Sequence, residues 1–105
     1  KRIDRSVSGK KEKPDYEYVA LSTGVTSRHM ESFIVTLIGN DYAEPSAHDG
    51  EEFLYVLDGA MAIKLGQKEE TLAVGDSIFY LSTVPHALKS LGESPAVILA
   101  VVYTG

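Results

Sequence analysis

Apolar residues in this chain fall in short alternating or continuous runs, cut by turns that contain glycine. That pattern predicts strands and no convincing helix. Tyr16 to Leu21 is rich in aromatic and branched residues, and Glu31 to Ile38 is β-branched and bounded by Gly39-Asn40. Glu51 to Leu57 ends at Asp58-Gly59, a pair that signals a hairpin turn. Ala60 to Leu65 alternates, and Glu70 to Val74, Ser77 to Leu81 and Pro85 to Ser90 follow as further strands. Ala96 to Tyr103 is apolar on both faces, as in a strand covered on two sides. Phe53, Tyr55, Met61, Ile63, Phe79 and Tyr80 are expected in the core. About eight short strands at this turn spacing predict an all-β sandwich or barrel. His48 and Glu52 stand four apart, as neighbours on a helix do, but Pro45, Gly50 and the run Phe53 to Leu57 favour strand.

At 105 residues and 11.4 kDa the chain predicts one small domain. A composition of 44% hydrophobic and 24% charged residues is that of a globular protein, and no apolar run approaches the ~20 residues of a membrane helix. The absence of cysteine excludes disulfides, thiolate metal sites and a cysteine nucleophile. No export signal is recognisable. The chain begins at Lys1 rather than Met, which predicts a piece of a longer protein. Charge changes this picture. Residues 1–13 carry +4 and residues 14–105 carry −9. The first 14 residues are therefore expected to be a basic lead-in or linker, and residues 15–105 a single acidic domain that repels a phosphate backbone.

The candidate chemistry lies in two segments, SAHDGEEFLYVLDG from Ser46 and GDSIFYLSTVPHALKS from Gly75. His48, Glu52 and His86 are two imidazoles and a carboxylate, the ligand set of a facial triad for iron(II) that also suits zinc, nickel or manganese. Residues four apart on an extended strand are ~13 Å apart. His48 must therefore lie on a turn folding back over the start of Glu52's strand, and Gly50 permits that bend. His86 must arrive from a strand beside or facing that of Glu52. The plain alternative is a surface histidine in an acidic run and a packed strand histidine. His29 reads as a surface residue, and Arg28, Lys64 and Lys89 are candidate partners for an anionic ligand.

These segments resemble the two-part motif of the cupins, G-x5-H-x-H-x3-4-E-x6-G and G-x5-P-x-G-x2-H-x3-N. Here the first reads Ser46-x-His48-x3-Glu52-x6-Gly59 and the second Gly75-x5-Leu81-x-Thr83-x2-His86-x3-Ser90. The spacing is kept, while Ser46, Leu81, Thr83 and Ser90 replace His, Pro, Gly and Asn. The resemblance covers about residues 39–103 and implies a double-stranded β-helix, the small jelly-roll barrel. It also implies His48, Glu52 and His86 as metal ligands. Ser46 leaves two outcomes open: a three-ligand site, or a plain cavity without metal.

A narrower resemblance rests on Tyr16-x-Tyr18-x2-Leu21, Met30-Glu31-x-Phe33 and His48-x-Gly50-Glu51-Glu52-Phe53-x-Tyr55-Val56-Leu57-x-Gly59. It is similar to bacterial regulators with an N-terminal helix-turn-helix domain and a C-terminal cupin sensor. That implies a cytoplasmic homodimer binding a small-molecule effector, with DNA contacted only through an upstream domain and no membrane contact. The ligand set also resembles that of an iron-dependent epoxidase acting on hydroxypropylphosphonate, which implies a small metal-dependent oxygenase or epoxidase instead. A metal-free binding module or structural dimer is the third reading.

Overall fold

The computed structural model describes residues 6–8, 16–21, 24 and 28–105, with the backbone alone for 6–8. Among the described residues nine strands run in chain order as β1 (Ser6–Ser8), β2 (Tyr16–Ala20), β3 (Met30–Leu37), β4 (Glu51–Asp58), β5 (Ala60–Leu65), β6 (Lys68–Ala73), β7 (Ser77–Leu81), β8 (His86–Ser90) and β9 (Ala96–Tyr103). Among the described residues there is no helix, and so none that could cross a membrane. Eight strands match the expected runs to within a residue or two. Ser6–Ser8, inside the segment expected as a lead-in, pairs with β2 at the sheet edge. The rest of residues 1–14 lies outside the described residues.

Two antiparallel sheets form a jelly roll, one with strand order β1-β2-β3-β9-β4-β7 and one with order β6-β5-β8. The pleat of β4 decides what faces inward. Glu52, Leu54 and Val56 are buried while Glu51, Phe53 and Tyr55 are exposed, as alternation requires. Leu54 and Val56 meet Met61 and Ile63 of β5, Ile98 and Ala96 of β9 and Leu37 of β3 in one core between the sheets.

Two expectations are corrected here. Asp58-Gly59 does not close a hairpin, because β4 pairs with β7 and β9 while β5 pairs with β6 and β8. The chain switches sheets there, with Gly59 at φ +75° against the Pro95 carbonyl. Local turn chemistry allows the bend without choosing the strand's partner. Phe53, Tyr55 and Phe79 are not core residues either. They lie on the outer face, whereas Tyr80, Met61 and Ile63 are buried. The outward side chains of β9 are likewise only partly covered in the single chain.

Candidate metal centre

The site is assembled by the segment between β3 and β4. Asn40 Nδ2 donates to the carbonyls of Ser90 and Gly92, both at 2.9 Å, which ties the segment's start to the smaller sheet. Ser46 and His86 exchange two backbone hydrogen bonds of 2.9 Å. The His48 amide donates to the Ser82 carbonyl at 3.0 Å, and the Ser82 amide to the Gly50 carbonyl at 2.9 Å. Gly50 then turns the chain into β4 at φ +116°, where a Cβ would lie 2.3 Å from the Tyr103 carbonyl oxygen. The return of His48 over Glu52 thus depends on a residue without a side chain.

The turn brings His48 to Glu52, and the start of β8 brings His86 from the opposite sheet. Both Nε2 atoms approach Glu52 Oε2, at 3.0 Å from His48 and 3.2 Å from His86. The donor atoms all lie within 4.8 Å of one another. Glu52 and His86 are buried, and His48 is exposed at the rim. Ser46 Oγ lies 3.3 Å from His86 Nε2.

Proton positions follow from the partners of the other ring nitrogens. His86 Nδ1 lies 2.8 Å from the Val84 carbonyl and His48 Nδ1 lies 3.1 Å from the Asp49 carbonyl. A carbonyl only accepts, so in each neutral ring the proton sits on Nδ1 and Nε2 carries a lone pair. Glu52 Oε2 is buried and takes no hydrogen bond despite both nitrogens being near. Three acceptors therefore converge; the Ser46 hydroxyl can donate to His86 Nε2, but among the described residues no donor serves Glu52 Oε2, an arrangement that costs free energy unless a cation or a proton sits among them. Nitrogen and oxygen ligands about 2.1 Å from a shared divalent ion stand about 3.0–3.4 Å apart for angles between a right angle and the tetrahedral one. The two separations to Glu52 are compatible with one ion held among the donors, and the donor set suits a divalent ion with open positions.

Tyr80 is the functional partner that the motif did not reveal. It stands opposite Glu52 in the β4–β7 register, and its hydroxyl donates to Glu52 Oε1 at 2.8 Å. Burial, then the charge and hydrogen bond of Glu52, push its phenol well above the usual tyrosine range. Tyr80 thus remains a proton donor that fixes the carboxylate. Its pairing could have been read from the alternation of β7 once Glu52 was placed inward.

The three donors sit in a cavity of about 440 Å³. Its walls include Tyr16, Tyr18, Phe33, Leu88 and Ile98, and Asp41 and Glu44 also line it. Arg28, Lys64 and Lys89 are not among its lining residues. Arg28 meets Glu31 at 3.1 Å, and the two lysines lie over the Tyr42 ring. His29 is exposed, as expected.

Residues 33–102 match the family model described as the cupin domain. Hydroxypropylphosphonic acid epoxidase from S. wedmorenis superposes at a TM-score of 0.83 with 28% identity, over 95% of this chain and 55% of that one. Its iron(II) form superposes at 0.85. This chain thus spans just over half the length of those proteins. An HTH_3 family transcriptional regulator from Vibrio cholerae superposes at 0.74 with 23% identity, over 88% of this chain and 52% of that one. The Cupin_2 domain of an XRE family transcriptional regulator from Enterobacter cloacae superposes at 0.78 with 16% identity, over 87% of this chain and 98% of that domain. No curated protein sequence matches. With the family's two-part motif spacing, its two-sheet barrel and a match over two-thirds of its length, the chain belongs to the cupin family.

Proposed function

We propose that residues 15–105 are the effector-sensing cupin domain of a cytoplasmic, dimeric transcription regulator, with a divalent metal ion held by His48, Glu52 and His86. The basic residues 1–14, of which Ser6–Ser8 pair with β2 at the sheet edge, then lead in from a DNA-binding part outside this chain. The acidic body makes no nucleic-acid contact of its own. The observation that carries the reading is Glu52 Oε2: buried, without a hydrogen bond, facing two imidazole nitrogens inside the cavity. A divalent ion there would supply an electrophile with open positions for an oxygen or nitrogen donor of the effector. The effector acts by binding one arrangement of the regulator more tightly than the other. The likeness to two regulator structures supports this context. Tyr80, a buried hydroxyl beside the ligands, is committed to Glu52 and holds that carboxylate in place.

Elemental analysis of the purified chain beside His48→Ala tests the reading. Near-stoichiometric metal that disappears in the variant supports it. No metal in either protein after iron(II), zinc and nickel are supplied would overturn the metal site. The likeness to the iron(II) epoxidase favours a second reading, an iron-dependent oxygenase or epoxidase. Oxygen consumption by the iron(II)-loaded chain with hydroxypropylphosphonate, abolished in His86→Ala, would decide for it.

A further inference from the structure

The outer face of the six-stranded sheet carries a largely apolar field, interrupted by Ser32, Ser77 and Glu51. The register places Phe79, Phe53, Val101 and Ser32 in one row across β7, β4, β9 and β3. Ser77, Tyr55, Leu99, Ile34 and Val19 form the next row, and Leu81, Glu51, Tyr103 and Met30 the row on the other side. Phe53, Tyr55, Phe79 and Tyr103 are 38, 37, 59 and 45% exposed. With roughly 150–250 Å² for each such side chain, these four leave on the order of 350 Å² of aromatic surface in water. Met30, Leu81 and the partly exposed Ile34, Leu99 and Val101 raise the field to roughly 600 Å², the upper end of what a monomer normally exposes. Glu51 stands in the outermost row, between Leu81 and Tyr103, and Asp58 at the end of β4 and Glu17 on β2 lie beyond the field.

We infer that this face binds a second copy of the chain, sheet against sheet about a two-fold axis near Phe53 and Phe79. Two such fields bury about 1,200 Å², the lower bound of a specific stable interface. A symmetric contact uses each residue twice, so one apolar patch completes both halves. Aromatic residues at the centre and charges at the rim are the anatomy of an interface core. Sheet faces pack on one another at about 10 Å, a spacing that interleaved Phe and Tyr side chains fill. The chain's own first strand is no competitor, because β1 lies at the opposite edge of the sheet from β7. The inference rests on the dimeric part of the proposed function and specifies a face where strand-edge pairing would be the other route. It does not depend on the metal.

Sedimentation equilibrium on the full chain tests it. The expected mass is twice 11.4 kDa at micromolar concentration. Phe79→Glu should weaken association by roughly 100-fold or more, while Leu91→Glu, an exposed residue beyond β8, should leave it unchanged. Because Phe79→Glu can also disturb folding, Glu70→Cys, exposed on β6 of the other sheet, supplies a second readout away from the proposed contact. The chain has no cysteine, so a single spin label on β6 should report one label–label distance in the dimer. A monomer at all concentrations, a dimer indifferent to Phe79→Glu in a folded variant, a dimer broken by Leu91→Glu, or no label–label distance from Glu70→Cys each overturns the inference. Metal content measured on the same samples separates the readings: a metal-loaded monomer refutes this interface and leaves the metal site standing.

Discussion

Replacing Gly50 by alanine should damage stability and metal binding together. The residue sits at φ +116°, and an added Cβ would lie 2.3 Å from the Tyr103 carbonyl oxygen and 3.3 Å from its carbon. Holding a non-glycine residue there costs about 1–3 kcal/mol. The clash adds to this, because its partner is backbone. Tyr103 is paired with both Met30 and Glu51, and the next amide, Thr104, donates to the His29 carbonyl at 2.9 Å. The strand end can retreat only by loosening those bonds. A total of about 3 kcal/mol follows, which lowers Tm by roughly 12–24 °C for a domain of this size and leaves a typical domain folded at 25 °C. The turn also carries His48, so a shift of the backbone moves its Nε2 away from Glu52. Ten-fold weaker metal binding corresponds to about 1.4 kcal/mol. Gly59→Ala is the control, since it has φ +75° and a Cβ 2.8 Å from the Pro95 carbonyl, away from the metal donors. Thermal unfolding of both variants, with and without divalent metal, is the assay. Both should lose stability without metal, and Gly50→Ala should also lose most of the metal-induced rise in Tm. Wild-type stability in Gly50→Ala, or an equal loss of the metal-induced rise in Gly59→Ala, refutes the reasoning.

Tyr80→Phe removes the buried 2.8 Å hydrogen bond to Glu52 and should cost about 1–3 kcal/mol in urea unfolding. It should also weaken metal binding by freeing the carboxylate, and a variant with unchanged metal titration would deny Tyr80 its positioning role. Ile98→Ala empties a fully buried position between the sheets and should cost about 2–5 kcal/mol, read from the same unfolding curves. Tyr42 has its phenol raised above the usual range, by burial first and then by the hydrogen bond and charge of Glu69. The unfolded chain then releases that proton near pH 10 while the folded chain keeps it. Its contribution to stability is therefore full below pH 10 and is lost as pH rises above it. Tyr42→Phe should flatten stability against pH in that alkaline range, as followed by urea unfolding.

Strand positions and the three donor residues were legible because both depend on short-range spacing. Alternation fixes β4, and the motif spacing marks His48, Glu52 and His86, which the fold brings together. Pairing was less legible. Asp58-Gly59 has hairpin chemistry, yet β4 and β5 lie in different sheets, because the partners of a strand are chosen by distant residues. Phe53 and Phe79 were expected inside because aromatic residues usually bury, but parity with Glu52 sets their face. That parity was available in the sequence once Glu52 was taken as inward. Two features leave no sequence signature: the Val84 and Asp49 carbonyls that turn both Nε2 lone pairs toward Glu52, and the cost of leaving three acceptors face to face.

Position 46 joins these levels, because there the sequence departs from the family while the backbone does not. Ser46 stands where the motif has a histidine, yet its amide and carbonyl pair with His86 at 2.9 Å. Its hydroxyl already points to within 3.3 Å of His86 Nε2. The scaffold for a fourth donor is therefore intact, and only the donor is changed. Ser46→His should place an imidazole beside the other three donors, in a cavity of about 440 Å³ that has room for it. A serine hydroxyl is a weak ligand for a divalent ion, whereas a neutral imidazole is a strong one. Affinity for zinc or nickel should rise at least tenfold, about 1.4 kcal/mol, when measured by chelator competition. The same substitution fills part of the cavity that Ser46 lines, so small-molecule binding should weaken as metal binding strengthens. Unchanged metal affinity in a folded Ser46→His protein would mean that the donors do not converge on one ion, and the three-ligand centre would fall with it.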